Sequence, residues 1–243
     1  TAVTSGSGSV TTDTTAPTLS NVSITSDNST STLAKANDDV TLTFTASEAI
    51  GTPVVTFRSG GDAITDGSVV YSNTSGNTWT AVYTSNASDT DGAVTYSIAF
   101  SDTAGNAGTA VTSGSGSVTT DTTAPTLSNV SITSDNSTST LAKANDDVTL
   151  RFTASESIAT PTVTFRSGGD AITDGSVVYS NTSGNTWTAV YTANASDTDG
   201  AVTYSIAFSD ISGNTGTAVT SGSGSITTAV SYTHLRAHET NSN

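Results

Sequence analysis

The sequence contains no cysteine and no methionine, and it has 6 lysines and arginines against 21 aspartates and glutamates. Without cysteine there is no disulfide, no thiolate metal ligand and no thiol redox centre. The net charge of −15 argues against nucleic acid and anionic membrane surfaces as partners, because both are negatively charged. No stretch approaches the ~20 consecutive apolar residues that a membrane-spanning helix needs, so direct membrane insertion is not expected.

Histidine is almost as scarce. The two histidines, His234 and His238, lie near the C-terminus, in a string from residue 230 to 243 that resembles a translated sequencing-library adapter. We therefore interpret residues 229–243 as a non-native tail, an artefact of assembly. The His-x-x-x-His spacing is compatible with a metal site, but it is also common by chance. No histidine is then left in the rest of the chain to act as a base.

A unit of 108 residues is repeated along the chain. Residues 1–108 and 109–216 align without a gap, and a third copy begins at Thr217 and stops after Thr228. The two full copies differ at eight positions and are identical at the other hundred. A unit of this length can bury its own hydrophobic core, so we expect an array of independent domains and not a solenoid. The near-identity of the two copies indicates that the repeat is selected for length or valency.

The stretch Asp-Thr-Thr-Ala-Pro, at residues 13–17 and 121–125, is interpreted as the joint between domains. Its proline fixes φ and removes a backbone donor, so the joint should be stiffer than a Gly/Ser tether. We expect the last strand of a preceding, truncated repeat at residues 1–12, a first domain at 13–120 and a second at 121–228. Because the chain opens on Thr1 with no signal peptide, we expect an internal part of a longer protein.

Apolar and polar residues alternate along most of each unit, as they do in half-buried antiparallel strands. Seven strands are predicted in the first unit, at residues 19–25, 40–46, 54–58, 68–72, 78–84, 94–100 and 109–120. The Gly-Ser-Gly-Ser run within the last of them favours a twisted or bulged strand over a phosphate loop. Seven short strands in about 100 residues are typical of a Greek-key sandwich. The predicted fold class is all-β: tandem immunoglobulin-like β-sandwiches of about seven strands each.

The inward-facing residues of these strands form the expected core, and burial of each large apolar side chain is worth about 1.5–3 kcal/mol. In the first unit they are Val22, Ile24, Val40, Leu42, Phe44, Ile50, Val55, Phe57, Val70, Trp79, Ala81, Tyr83, Val94, Tyr96, Ile98, Phe100 and Val111, with the equivalent set 108 residues later. Such a core suffices for each unit to fold independently.

Four short motifs recur in both units: the Asp-Thr-Thr-Ala-Pro joint, Phe-Thr-Ala-Ser-Glu at residues 44–48, Asp-Gly at 91–92 and Ser-Asp-Thr-Ala-Gly-Asn at 101–106, where the second copy reads Ser-Asp-Ile-Ser-Gly-Asn. Their combination resembles the bacterial Ig-like repeats of large surface adhesins, and the resemblance covers both full units. It implies an extracellular or cell-surface extender that projects a ligand-binding head, with calcium stiffening its joints. Neighbouring repeats of the same chain are then the expected partners, and no ligand follows from the resemblance.

Strand order alone predicts where the carboxylates gather. In a seven-stranded sandwich the second-to-third and sixth-to-seventh connections return to the end at which the first strand starts. The residues expected there are Asp13, Glu48, Asp102 and Asn106 in the first unit and Asp121, Glu156, Asp210 and Asn214 in the second. A second group, Asp27, Asp38, Asp39, Asp89 and Asp91, is expected at the opposite, lower end. Clustered carboxylates repel, and a hard cation with oxygen ligands relieves the repulsion. Calcium fits flexible loops better than magnesium, which demands a near-ideal octahedron.

Ordinary roles compete with metal binding. Aspartates in loops often form Asx turns or are simply solvated, and the Asp-x-Asp-Gly at residues 89–92 is only a fragment of an EF-hand loop. Lys35 and Lys143 are the only lysines of their units, and we interpret them as solvated, because lysine is almost never buried unpaired. The alternative is a self-formed isopeptide bond to an asparagine, assisted by an acid, which intact mass would reveal.

No enzyme activity is expected. Serine and threonine are abundant, but the repeats offer no histidine base and no strand-to-helix elbow, and a compact sandwich rarely provides the cleft of a glycosidase. Two functions remain: a structural extender, or an accessory module of a secreted multidomain protein that binds glycans or a host surface. A carbohydrate site needs exposed aromatic side chains. Trp79 and Tyr83 are in register with the core and only Tyr71 is expected outside, which favours the extender.

Overall fold

A computed structural model describes residues 10–65, 67–173 and 175–230. The chain divides into two compact units, Thr1–Thr123 and Ala124–Asn243, a division three residues beyond the sequence boundary before Asp121. Most of the strand expected at residues 1–12 and of the tail at 229–243, including both histidines, lies outside the described residues. The first two residues of that tail contact the second unit: Ala229 donates its N–H to the Ala142 carbonyl at 2.9 Å, and Val230 is buried.

The first unit contains nine strands. They are β1 Leu19–Ser26, β2 Leu33–Ala34, β3 Asp39–Ala46, β4 Val54–Ser59, β5 Asp62–Ala63, β6 Val70–Ser75, β7 Thr78–Thr84, β8 Gly92–Ala99 and β9 Thr119–Thr120. One sheet has the order β1-β3-β7-β6 and the other β2-β9-β8-β4-β5. All neighbours are antiparallel except β2 and β9, which are parallel. The predicted strands are therefore supplemented by two short ones, β2 and β5, at the sheet edges.

The second unit repeats this arrangement. Its strands are β10 Leu127–Ser134, β11 Leu141–Ala142, β12 Asp147–Ala154, β13 Thr162–Ser167, β14 Asp170–Ala171, β15 Val178–Ser183, β16 Thr186–Thr192, β17 Gly200–Ala207 and β18 Thr227–Thr228. The sheets have the orders β10-β12-β16-β15 and β11-β18-β17-β13-β14. Within the described ranges no helix is long and apolar enough to cross a membrane. The predicted fold class, tandem immunoglobulin-like β-sandwiches, is confirmed.

Strand β3 illustrates why the sequence folds this way. Val40, Leu42 and Phe44 are fully buried, whereas the threonines between them lie on the half-exposed outer face. On the partner strand β7, Phe44 is opposite Trp79 and Leu42 is opposite Ala81. Because side chains alternate between faces along a strand, the alternating sequence fixes one register, and all three large side chains enter the core.

Most of the predicted core is confirmed, but Val70 is wrong: it is 69% exposed. Val70 lies on the edge strand β6 opposite Val82, on the outer face, and its neighbour Tyr71 points inward opposite Ala81. A one-residue error in register exchanges the two faces of a strand. Four core positions lie outside the predicted set, in short or irregular segments or as small side chains: Ala34, Ala46, Ile64 and Val118.

The predicted last strand, residues 109–120, is regular only at Thr119–Thr120. Before that, Val111 bridges to Ile98 of one sheet and Ser115 pairs in parallel with Ser23 of the other. The glycines make this crossing possible. A Cβ on Gly114 would lie 2.4 Å from the Val22 carbonyl oxygen, and one on Gly116 would lie 2.3 Å from that of Ile24. No side chain fits at such distances, so the backbone of this segment packs directly on β1.

Candidate functional site

Three carboxylates of the first unit meet at the end of the sandwich where the chain enters it. Asp13 precedes β1, Glu48 follows β3 and Asp102 follows β8. Each offers a carboxylate oxygen, and these oxygens all lie within 4.8 Å of one another. Asp13 is exposed, Glu48 is half-buried and Asp102 is buried. We call these three residues the upper cluster.

A tight turn fixes Asp102. Its Oδ1 accepts hydrogen bonds from the N–H groups of Gly105 (2.7 Å) and Asn106 (2.8 Å), and its Oδ2 accepts one from the Asn106 side-chain nitrogen (2.8 Å). The same amide nitrogen donates to the Asp13 carbonyl at 3.1 Å and so ties the entering segment to the turn. These bonds, above all the one from the Asn106 side chain, outweigh burial and lower the pKa of Asp102.

The upper cluster offers only oxygen donors, which is the donor set of a hard cation such as Ca²⁺. Asn106 uses its side-chain nitrogen on Asp102 and Asp13, so its amide oxygen is the atom left for a cation. The turn around Asp102 also stabilises the negative charge, through two backbone N–H groups and the Asn106 side-chain nitrogen. The residues thus fit calcium, and the role of Asn106 as a direct ligand remains a prediction.

The second unit has the same turn. Asp210 is 2% exposed, and it accepts hydrogen bonds from the N–H of Asn214 at 2.8 Å and from its side-chain nitrogen at 2.9 Å. Carboxylate oxygens of Glu156 and Asp210 lie within 4.8 Å of each other. Asp121 belongs to the first unit, where its N–H donates to the Ala34 carbonyl at 2.8 Å and its Oδ1 accepts the Thr123 N–H at 3.3 Å.

The lower group predicted from the sequence does not converge. Among the described residues, no three of its carboxylates approach one another as closely as those of the upper cluster. Each one holds a local structure instead. Asp27 accepts the Asp39 N–H at 2.8 Å, Asp39 accepts the Thr84 hydroxyl at 2.6 Å, and the buried Asp89 accepts the Thr65 N–H at 2.7 Å. Each of these aspartates thus fixes a nearby loop or strand end.

Asp38, another member of this group, is buried and forms an ion pair with Lys35. It accepts bonds from the Lys35 N–H (2.9 Å), the Lys35 ammonium (3.0 Å) and the Asn28 amide nitrogen (2.6 Å). Burial raises the pKa of Asp38, but these bonds outweigh it and the net pKa is lowered. The Lys35 side chain is 36% exposed, so it is partly solvated, and it also forms an ion pair with Asp38 that the sequence did not predict.

Asp91 holds the joint segment, a role that the sequence analysis missed. Its Oδ1 accepts the Thr122 N–H at 2.7 Å and the Thr122 hydroxyl at 2.9 Å, and its Oδ2 accepts the Thr123 hydroxyl at 2.5 Å. Burial opposes ionisation, but the bonds from both threonines outweigh it and lower the pKa of Asp91. The available signals were the Asp-Gly turn and the two threonines of the joint, but nothing in the spacing pairs them.

No aromatic side chain forms an exposed platform in the described part of the chain. The expectation that Tyr71 faces outward is wrong: it is half-buried, and its hydroxyl accepts the Val55 N–H at 2.8 Å. Trp79 packs against the core, and Tyr83 is buried against Phe57 with ring centroids 4.8 Å apart. The exposed large apolar side chains are all aliphatic.

Comparison with known proteins gives the following. No family model matches the sequence, and no curated protein matches it. Solved structures with a similar chain path include an I-band fragment of titin (13% identity, TM-score 0.46), a titin Ig tandem (13%, 0.28) and tandem Ig repeats of Dlar (12%, 0.26). The matches cover 90%, 88% and 88% of this chain and 66%, 96% and 98% of those chains. The chain thus spans just under two thirds of the I-band fragment.

Proposed function

We propose that the repeats are structural extender modules of a bacterial cell-surface or secreted adhesin, located outside the cell, whose joints are stiffened by calcium. The observation that carries this proposal is the upper cluster. Asp13 belongs to the segment that enters the domain, whereas Glu48 and Asp102 belong to the domain body, and their carboxylate oxygens lie within 4.8 Å. A cation bound to all three would tie the entering segment to the body.

Charge and stoichiometry support calcium at this position. Three carboxylates so close together repel one another. The chain has 6 basic residues against 21 acidic ones, too few to neutralise most of its carboxylates. If each carboxylate binds in bidentate fashion, the upper cluster supplies about six oxygens, within the range that Ca²⁺ takes. The period of 108 residues places the same residue types at Asp121, Glu156 and Asp210, and we propose that they form the equivalent site.

The remaining features suit a spacer better than a recognition domain. The two units are nearly identical, each has a complete core, and Asp91 already orders the joint segment by hydrogen bonds. The clefts recur in both units, measure about 270–280 Å³ and are lined mainly by Pro, Leu, Phe, Ala and Val without any carboxylate. They offer no acid–base pair for chemistry.

A calcium titration of the 243-residue chain tests the proposal. Millimolar Ca²⁺ should raise the Tm relative to EDTA and increase the maximum dimension in small-angle scattering, and Mg²⁺ should do so less. The double variant Glu48→Gln, Glu156→Gln keeps side-chain size but removes a charge from each cluster, and it should lose the calcium effect. Asp62→Asn, a change at an exposed acceptor of the Thr90 hydroxyl outside the cluster, is the control. An unchanged Tm with calcium, or an equal response of the Glu48/Glu156 variant, would refute calcium stiffening.

The alternative function, an accessory module that binds glycans or a host surface, has less support. Stacking on sugar rings needs exposed aromatic side chains, whereas Tyr71, Trp79 and Tyr83 are at least half-buried. A glycan array probed with the same chain separates the two functions: reproducible binding would favour the accessory module, and its absence together with a calcium response would favour the extender.

A further inference from the structure

Three of the four sheet edges of the first sandwich are covered or very short. The edge of β1 is covered by the last segment of the domain, where Ile24 donates its N–H to Ser115 O at 3.0 Å. The two edges of the other sheet, β2 and β5, are only two residues long. Covered and short edges are two of the ways in which proteins prevent their sheets from pairing with other chains.

The first half of β4 is closed by a side chain. Strand β5 pairs with β4 only at Arg58 and Ser59, so among the described residues no strand lies beside Val55 on that side. The Tyr71 hydroxyl takes this place: it accepts the Val55 N–H at 2.8 Å and donates to the Val55 carbonyl at 3.4 Å. One tyrosine thus satisfies both backbone groups that an incoming strand would bind.

The fourth edge, strand β6, has no such protection. It ends the sheet β1-β3-β7-β6, and within the described ranges no strand pairs with its outer side. Five of its six residues are exposed, and Val70 is 69% exposed. The strand contains no charged residue and no proline, and its pairing with β7 is irregular only between Asn73 and Ser75. An exposed, uncharged edge of this length is a template for pairing with another strand.

The distribution of charge indicates which strand can bind there. The net charge of −15 makes two copies of this chain repel one another in most orientations. Residues 67–88, which include β6 and β7, contain no charged residue, and neither do residues 175–196 of the second unit. The β6–β7 hairpin is therefore a surface at which two copies can meet without direct repulsion between carboxylates.

We propose that two copies of this chain pair through β6, antiparallel and related by a twofold axis, so that two four-stranded sheets become one continuous sheet. Ser72 lies on the outer face, opposite Thr80 of β7. A register centred on Ser72 sets outer-face residues of one copy opposite outer-face residues of the other, as a continuous sheet requires. The Cβ atoms of the two Ser72 residues then lie about 4.5–5.5 Å apart. Strand β15 offers the same edge in the second unit, centred on Ser180.

Each such contact is weak, and repetition strengthens it. Pairing of two short strands buries less than the ~1,200 Å² at which stable interfaces begin. Every chain carries the edge twice, on β6 and on β15, and linked contacts bind more tightly than single ones. The pairing goes beyond the proposed extender function, because it joins neighbouring extenders side by side. It depends on backbone groups and needs no calcium.

Sedimentation velocity of the 243-residue chain in EDTA, at rising concentration and physiological salt, tests the pairing. The wild-type chain should shift from monomer toward dimer. The double variant Ser72→Lys, Ser180→Lys sets like charges directly opposite each other and should lose the shift. The control Thr25→Lys, Thr133→Lys adds the same charge to the outer face at the covered β1 and β10 edges, and it should keep the shift.

Two results of this experiment would overturn the proposal. A wild-type chain that stays monomeric up to its solubility limit would leave the β6 edge to a strand of a different protein. Equal association of the Ser72/Ser180 variant and the wild type would place the contact on another surface. Because the readout is association in EDTA, a failed calcium titration leaves the result unaffected.

Disulfide trapping gives a second measurement that also tests the register. The chain has no cysteine, so Ser72→Cys introduces a single thiol in each copy. In the proposed register the two thiols lie within reach of a disulfide, and a mild oxidant such as diamide should link the copies several-fold faster than in the control variant Thr25→Cys. Equal rates of linkage in the two variants would contradict pairing centred on Ser72.

Discussion

The carboxylate of Asp91 accepts hydrogen bonds from both the N–H (2.7 Å) and the hydroxyl (2.9 Å) of Thr122. Thr122 lies just after Asp121, in the stretch that joins one repeat to the next. The turn between β7 and β8 thus holds the exit segment of its own domain. The joint is ordered on its N-terminal side by a direct contact that needs no cation, and the upper cluster is the part of the joint that would respond to one.

Replacing Asp91 by alanine should loosen the exit segment without unfolding the domain. Three hydrogen bonds are lost, but the carboxylate is exposed and water replaces much of their energy, so we expect a cost of about 1 kcal/mol. Hydrogen exchange at the Thr122 amide should become faster. Asp62→Ala, which removes an exposed acceptor of the Thr90 hydroxyl, is the matched control and should leave that exchange rate unchanged. Unchanged exchange in Asp91→Ala would show that the bonds do not order the joint.

Acid should destabilise both domains through Asp38 and Asp146. Burial raises the pKa of Asp146, but bonds from the Asn136 amide, the Lys143 N–H and the Lys143 ammonium outweigh it and lower that pKa from 3.8 to about 2. The pKa of Asp38 is lowered for the same reasons. A carboxylate whose pKa is lower in the folded state stabilises the fold above its unfolded pKa and loses this contribution as the pH falls through the folded pKa.

Thermal unfolding measured from about pH 5 to about pH 2 checks this expectation. The Tm of the wild-type chain should fall across that window. The double variant Asp38→Asn, Asp146→Asn should start from a lower Tm at neutral pH and show a weaker dependence on acid. A variant with the same acid slope as the wild type would mean that other carboxylates govern acid unfolding.

Alternating hydrophobicity was enough to predict the sandwich, because each long strand buries one face and register follows from that face. Strand β3 shows this most clearly, with Val40, Leu42 and Phe44 all fully buried. The pattern failed at Val70 because the edge strand β6 starts with two adjacent apolar residues, and polarity alone could not say which of Val70 and Tyr71 faces the core. The length of the last strand was also overestimated, since its glycines pack on β1 and interrupt regular pairing.

The positions of the carboxylates were likewise predicted only in part. Strand order predicts which connections share an end, and Asp13, Glu48 and Asp102 do approach one another; calcium binding by them remains a prediction. The lower group was expected to converge for the same topological reason. It does not, because each carboxylate turns toward a different backbone N–H: Asp38 toward that of Lys35 in its own loop, Asp27 toward that of Asp39, and Asp89 toward that of Thr65. Local hydrogen bonds of this kind depend on loop conformation, which strand order does not specify.

Intact mass should equal that of the unmodified sequence. The Lys35 ammonium is ion-paired with Asp38 and its side chain is 36% exposed; the Lys143 side chain is 69% exposed. The ion pairs with Asp38 and Asp146 hold both ammonium groups, so no isopeptide bond is expected. Loss of one ammonia per domain would contradict this expectation and would point to Asn28 and Asn136, whose amides donate to the same carboxylates. The double variant Lys35→Arg, Lys143→Arg, which keeps the charge, would then abolish the mass loss.

Gly116→Ala should destabilise the first domain far more than Gly76→Ala. Both glycines have positive φ, 78° and 54°, where a Cβ costs about 1–2 kcal/mol of backbone strain. At Gly76 nothing lies within 4 Å of the added Cβ, so strain is the whole cost. At Gly116 the Cβ would lie 2.3 Å from the Ile24 carbonyl oxygen, which forces the last segment away from β1. We expect a total loss of at least about 3 kcal/mol, from strain and overpacking together. Chemical denaturation of the two variants measures the difference, and equal losses would mean that the last segment is not packed on β1 as described.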